Sequence, residues 1–287
     1  MLRLGPHTKK QGSPEEQREI ARDLNWSAIQ THFGNPRSLR IASAAPKAPW
    51  SKYDPEKDPV WAFHAAYTSS ATPKAENEKA TANYLGQLLV HAQREGAKYV
   101  VVHVGGTKDR TAEEVGDKIK SFLMHSKLPE ILAKLNSGDR PVKLLVENTA
   151  ALYPFNQNLR NLTKAIADFP HVGWCLDTAH SNAAGIVWSE VQEVIRESPP
   201  DLCHANFPGS PFGCGRDRHG WRTWPDILAG KEESQYSGMT PDTTRQWDET
   251  IRVLAASNVP LILEGGSYDG DMNAELEFVR SLLSTHT

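Results

Sequence analysis

Six apolar runs in this sequence each end on a side chain that can bind a cation or move a proton. Trp61-Ala62-Phe63 runs into His64, and Tyr99-Val100-Val101-Val102 into His103. Leu144-Leu145-Val146 is followed by Glu147, and Trp174-Cys175-Leu176 by Asp177, with His180 three residues on. Leu202-Cys203 leads to His204, and Leu261-Ile262-Leu263 to Glu264. Taken singly, each has an ordinary explanation. A lone His at a strand end is usually a hydrogen-bonded rim residue, Glu147 or Glu264 would cap a following helix, and Asp177-Thr178-Ala179-His180 has the form of a helix start with Asp177 as N-cap. Taken together they require another. Carboxylates crowded into one volume repel each other. Divalent cations resolve that conflict, and mixed imidazole and carboxylate ligands suit zinc, manganese or iron.

Such a cluster forms only if the six strand ends converge. The apolar runs alternate with longer amphipathic stretches, the pattern of a parallel sheet with crossover helices. Strands are expected at Leu2–Leu4, Ala28–His32, Ala62–Ala65, Tyr99–His103, Lys143–Glu147, Val172–Asp177, Leu202–Asn206 and Pro260–Glu264. Helices are expected at Pro14–Leu24, Lys74–Glu95, Thr111–Leu135, Leu159–Asp168, Val187–Glu197, Pro241–Ser257 and Asn273–Ser284. Eight strands over 287 residues predict an α/β protein of a single domain, residues 1–287, closed as a (β/α)8 TIM barrel. In a parallel barrel all C-terminal strand ends meet on one rim, where active sites sit.

Two segments fit the alternation poorly, the Pro-rich 35–58 stretch and the long Phe207–Thr240 connection. The second contains Arg216-Asp217-Arg218-His219. Asp217 and His219 are two apart, so an extended chain projects both to one side, where they would complete a further cation site with His180. Trp221 and Trp224 in the same segment would stack on exposed bases or anchor the loop in the core.

Composition narrows the setting. Apolar residues make up 39% and charged residues 23%, which supports a full-sized core. No run reaches the roughly 18 to 20 apolar residues of a membrane helix, and the N-terminus lacks an apolar signal core. Three scattered cysteines, Cys175, Cys203 and Cys214, point to a reducing, intracellular and cytoplasmic setting. The net charge of −3 means that any nucleic acid must be held by a local basic patch or by cations. A monomer with no obligate protein partner and no membrane is expected.

Over essentially its whole length the chain resembles the endonuclease IV family of apurinic/apyrimidinic (AP) endonucleases. The most specific segments are Val146-Glu147-Asn148-Thr149-Ala150, Cys175-Leu176-Asp177-Thr178-Ala179-His180 with Ala183-Ala184-Gly185 after it, and Asp217-Arg218-His219. The resemblance implies three divalent ions, chiefly Zn2+, with Mn2+ or Fe2+ able to stand in its place. His64, His103 and Glu147 would hold the first. Glu147 would bridge to the second, with Asp177, His204 and Glu264, while His180, Asp217 and His219 would hold the third. Arg37, in Gly34-Asn35-Pro36-Arg37, matches an arginine that enters the duplex, and Tyr67 matches a tyrosine working beside it; Arg216 and Arg218 would hold phosphates. The implied activity is zinc-dependent hydrolysis of damaged double-stranded DNA in base excision repair. The bond broken lies 5′ to an abasic site and leaves a 3′-hydroxyl and a 5′-deoxyribose phosphate, with Glu147, Glu264 and Asp177 as the catalytic carboxylates.

The chain departs from the family at three loops. His204-Ala205-Asn206-Phe207-Pro208 lacks the usual Asp and Ser after Asn. Gly220-Trp221-Arg222-Thr223-Trp224 stands for a glycine-rich run, and Ala151-Leu152-Tyr153-Pro154 replaces expected glycines. These changes leave open a phosphodiesterase with another nucleic acid substrate. A sugar isomerase or epimerase of the same barrel class would share the strand-end ligands but use one or two metals. A DNA-binding module without catalysis would keep the metals for structure alone.

Overall fold

Strand formation here follows a period of two, in which alternate side chains face opposite sides of the sheet. In the computed structural model, residues 3–8, 14–33, 35–41, 58–105, 107–231, 240–264 and 271–284 are described. They form a closed barrel of eight parallel strands. The strands are β1 (Leu4–Thr8), β2 (Ala28–His32), β3 (Val60–His64), β4 (Tyr99–His103), β5 (Lys143–Glu147), β6 (Val172–Asp177), β7 (Leu202–His204) and, after a short antiparallel ribbon of β8 (Phe207–Pro208) and β9 (His219–Gly220), β10 (Leu261–Leu263). They pair in chain order, and β10 closes the barrel between β7 and β1.

The two strand faces have separate partners. Ala28, Val60, Ala62, Tyr99, Val101, Leu145, Cys175, Leu202 and Ile262 fill the barrel interior as one cluster. The alternate residues, such as Val100, Val102, Leu144, Val146, Trp174 and Leu176, belong to a larger layer packed under the helices. Those helices are α1 (Pro14–Asp23), α2 (Glu78–Glu95, led by a 3-10 turn at Ala75–Asn77), α3 (Ala112–His125), α4 (Leu128–Leu135), α5 (Leu159–Ile166), α6 (Thr178–Ala183), α7 (Trp188–Glu197), α8 (Pro225–Leu228), α9 (Pro241–Ala256) and α10 (Met272–Ser284). In α2, Leu85, Leu88 and Leu89 are fully buried, each contributing about 1.5–3 kcal/mol relative to exposure.

Two expectations are corrected. The first strand lies at Leu4–Thr8 rather than Leu2–Leu4; its Gly-Pro-His-Thr sequence has no strand signature, yet Gly5 is required there. A Cβ on Gly5 would stand 1.7 Å from the Ala28 carbonyl oxygen, so only glycine lets β1 and β2 approach. The single helix expected at Thr111–Leu135 is two, broken at Ser126–Lys127. The first begins with a reciprocal Thr111–Glu114 capping box, and Pro129 stands in the first turn of the second, where its missing N–H costs nothing. The helix start read at Asp177 is α6, with the Asp177 side chain accepting from the His180 N–H at 2.8 Å, while α8 is too short for periodicity to show. Residues 2, 34, 42–57 and 232–239, which fall within segments discussed above, lie outside the described residues.

Candidate metal centre

The period that fills the barrel interior also builds the site. His64 is two residues beyond Ala62, His103 two beyond Val101, Glu147 two beyond Leu145, Asp177 two beyond Cys175, His204 two beyond Leu202 and Glu264 two beyond Ile262, so each projects inward at the C-terminal mouth. Register sets them level, with His103 opposite Glu147 and Asp177 opposite His204. The ribbon of β8 and β9 pairs Pro208 with His219 and folds the long connection back over this mouth. Asp217 and His219 converge there, with Asp217 Oδ1 3.2 Å from both His219 Nε2 and His180 Nε2.

Glu147 lies at the centre and is fully buried. Its Oε2 is 3.3 Å from His64 Nε2 and 3.3 Å from His103 Nε2, and its Oε1 is 3.1 Å from His204 Nδ1. Neighbouring oxygens fix which ring nitrogen faces inward, because a carbonyl can only accept. His64 Nδ1 lies 2.7 Å from the Ala65 carbonyl oxygen, so it carries the proton and Nε2 faces Glu147. His180 Nδ1 lies 2.8 Å from the Asn148 carbonyl oxygen, leaving Nε2 toward Asp217.

Three neutral amides complete the frame. The Gln30 amide oxygen accepts from His204 Nε2 at 2.9 Å, while its nitrogen donates to Glu264 Oε1 at 2.8 Å. Asn206 Nδ2 donates to Asp177 Oδ2 at 2.7 Å and to Glu264 Oε2 at 3.1 Å. The Asn148 side chain accepts from the Asp177 backbone N–H at 2.7 Å and donates to its carbonyl at 3.1 Å. Asn206 is itself propped from α9, where the buried Trp247 indole donates to its carbonyl oxygen at 3.2 Å. His7 adds a contact of 2.7 Å from Nδ1 to Glu264 Oε1.

The buried carboxylates of the cluster leave it short of positive charge. Burial alone would raise Glu147, but His103 and His204 outweigh it and hold the carboxyl well below its usual range. Burial is again opposed by His204 and His7 at Glu264, which is also held well below. Asp177 is pushed up by burial against the pull of His180 and His219. Three of the rings, His180, His204 and His219, are raised. Burial would lower His180, yet Asp177 and Asp217 drive it well above normal. His219 reaches about 9, since the hydrogen bond to Asp217 and the charge of Asp177 overcome burial. Protons are thus drawn to positions where cations would serve. The donor geometry fits cations as well: His64, His103 and Glu147 form one group with ligand atoms within 4.8 Å of one another, Glu147, Asp177 and His204 a second, and Asp177, His180 and His219 a third. Glu264 adjoins the second, with Oε2 3.7 Å from His204 Nδ1, and Asp217 the third.

All nine residues singled out as metal ligands therefore stand at one mouth. Of the expected DNA contacts, Tyr67 is 58% exposed, its hydroxyl 3.3 Å from His32 Nε2 and its ring centroid 5.6 Å from that of His64. Its backbone N–H donates to the Pro36 carbonyl at 2.8 Å, which docks the turn bearing the exposed Arg37 beside it. Arg216 and Arg218 are exposed on either side of Asp217. Trp221 is buried and Trp224 packs against the core, so both anchor the loop. Phe207, where the family pattern has an acid, is buried edge-on against Trp247 at 5.3 Å.

The sequence patterns did not single out His7, Gln30, His32, Asn148 and Asn206 as site residues. A signal existed for two of them, since Gln30 and His32 follow the inward-facing Ala28 at steps of two. Burial lowers His32 to about 3, reinforced by His64 and His7, so its ring is neutral.

A barrel with this mouth is of the xylose isomerase-like TIM barrel class, and the model of that family matches residues 18–282. Within it the chain belongs to the endonuclease IV family. It is 31% identical over 238 residues to "Probable endonuclease 4" of Natranaerobius thermophilus, spanning 76% of this chain and 80% of that one. Among solved structures, endonuclease IV from Thermus thermophilus superposes with a TM-score of 0.72 at 21% identity, covering 99% of each chain. A D-tagatose 3-epimerase-like protein superposes with a TM-score of 0.66 at 15% identity, covering 99% of this chain and 98% of that one. At these identities the two structures attest the barrel alone.

Proposed function

We propose that the protein is a metal-dependent DNA phosphodiesterase that hydrolyses the bond 5′ to an abasic site. The observation that carries this is the set of three donor groups joined through Glu147 and Asp177, in a chain of the endonuclease IV family. His64, His103 and Glu147 would hold one cation, Glu147, Asp177, His204 and Glu264 a second, and His180, Asp217 and His219 a third, with zinc favoured by the imidazole-rich donors. When bound, such cations supply Lewis acidity to a phosphoryl oxygen and bring the acidity of water into the neutral range.

The chain's own groups supply the rest. Of the three carboxylates at strand ends, Glu264 is the most exposed, 15% at the side chain against 1% for Glu147 and 0% for Asp177, and it orients the attacking water. Water oxygen bonds to phosphorus as the bond to the upstream 3′-oxygen breaks; that oxygen takes a proton and leaves as a 3′-hydroxyl, and the phosphate stays on the deoxyribose. Arg37 and Tyr67 occupy the gap left by a sugar turned out of the duplex, which costs least where no base is stacked. Arg216 and Arg218 hold flanking phosphates. Metal analysis should find close to three divalent ions per chain, and cut ends should prime a polymerase. One or two ions with turnover of a ketose would instead favour a sugar epimerase of the same barrel class.

A further inference from the structure

Beside the first donor group the β3, β4 and β5 loops enclose a cleft of about 520 Å3. Its lining includes His103 and Tyr67, the lysines Lys74 and Lys108, and Tyr153. We propose that this cleft binds one nucleotide unit of the substrate strand next to the cleaved bond, with Lys74 and Lys108 on its phosphate. The inference rests on the phosphodiesterase assignment and adds a position for the strand.

Charge supports it first. No carboxylate lines the cleft among the described residues, although the adjoining centre holds four and the chain carries a net −3. Both lysines are exposed, and neither has an acidic partner among the described residues. An anion meets two cations in the lining itself. The remaining lining suits a sugar and a base, with hydroxyl-bearing Ser70 and Thr149 and the aromatic side chain of Tyr153, which is able to stack. The volume falls within the range of small-ligand sites, about 300–1,000 Å3.

The cleft is also built in advance. Gly105 has φ +64°, and a Cβ there would lie 2.6 Å from Ser70 Cβ, so glycine lets the β4 loop close onto the β3 loop. The Thr72 hydroxyl donates to the carbonyl oxygens of Val104, at 2.9 Å, and of Gly105. Asn156, from the β5 loop, donates to the Thr107 hydroxyl at 3.2 Å. Three loops are thus tied together before any ligand arrives, which spares binding the cost of ordering them.

The test compares the metal-loaded wild type with Lys74→Ala, Lys108→Ala, the double variant and the double Lys→Arg variant. Each is given a fluorescein-labelled duplex carrying one abasic analogue, and both cleavage and equilibrium binding are followed across salt concentrations. The double Ala variant should keep its metal and show KM raised roughly tenfold with kcat within about threefold. The slope of log(kcat/KM) against log salt should become shallower by about 0.7–0.9 per lysine, and the Arg pair should restore it. Unchanged KM and slope in a double variant that still cuts would overturn the cleft and leave the phosphodiesterase assignment standing. A metal-loaded wild type that binds the duplex without cutting, but binds it more weakly once the lysines are removed, would do the reverse.

Discussion

At the barrel mouth a histidine that gives one ring nitrogen to a protein oxygen has only the other to offer a cation. Gln30 fixes this choice for His204 and at the same time holds Glu264, so its removal should be felt by both. Such outer partners are worth about 10–100-fold in metal affinity or activity. Gln30→Ala is expected to lose that much zinc affinity in competition with a chelator while remaining folded. Affinity equal to wild type would show that Gln30 is only a packing residue. The protons on the site make a second prediction. His219 is raised from 6.5 to about 9 in the folded protein. A raised value stabilises the fold fully below the unfolded value and ceases to do so once pH passes the folded one. Metal-free protein should therefore melt at a lower temperature at pH 9 than at 6.5. Zinc binding should strengthen over the same window, because neutral imidazole is the ligand. Melting curves in chelator, paired with zinc titrations, check both. A metal-free protein that grows more stable toward pH 9 would contradict the charge account.

At the scale of elements, the same two-residue step that hides Val101 or Leu145 in the interior delivers His103 or Glu147 to the mouth. This is why apolar runs ending in His, Asp or Glu were readable from sequence. Neutral amides carry no such flag, so Asn148, Asn206 at the end of an expected strand, and Gln30 inside another were not singled out. His7 was obscured because β1, with Gly5 and Pro6 at its centre, has no apolar run and owes its place to the close approach at Gly5. Gly5→Ala should cost about 3 kcal/mol or more in denaturant unfolding, since the obstacle is a backbone carbonyl. A cost below about 1 kcal/mol would mean that the seam between β1 and β2 relaxes freely. Trp247 carries the centre's frame out to α9, because its indole supports Asn206, which holds Asp177 and Glu264. Trp247→Phe keeps most of the buried ring and drops that hydrogen bond. It should lower kcat several-fold while costing about 1 kcal/mol of stability; loss of stability with kcat intact would make the contact structural only.

Over the whole molecule, barrel and mouth were legible in sequence because a closed parallel sheet has few ways to place eight apolar runs. The loops were less so. Asp217 and His219 reach the site through a two-residue ribbon whose sequence, Phe-Pro against His-Gly, has no strand period. The exchange of an acid for Phe207 is explained only by its burial against Trp247. Under the proposed function these rims would face the substrate, while the centre beneath them would need every charge in place. Asp177 joins two donor groups, so Asp177→Asn should keep the fold and abolish cleavage; full activity in that variant would remove the metal assignment. The most direct test of the central claim is an end-labelled duplex bearing a single tetrahydrofuran abasic analogue, which cannot undergo β-elimination. An undamaged duplex and a metal-stripped sample serve as controls. A metal-dependent cut on the 5′ side of the analogue, leaving a 3′-hydroxyl, is predicted. An intact analogue strand, incubated with protein shown to retain its metals, would contradict the assignment.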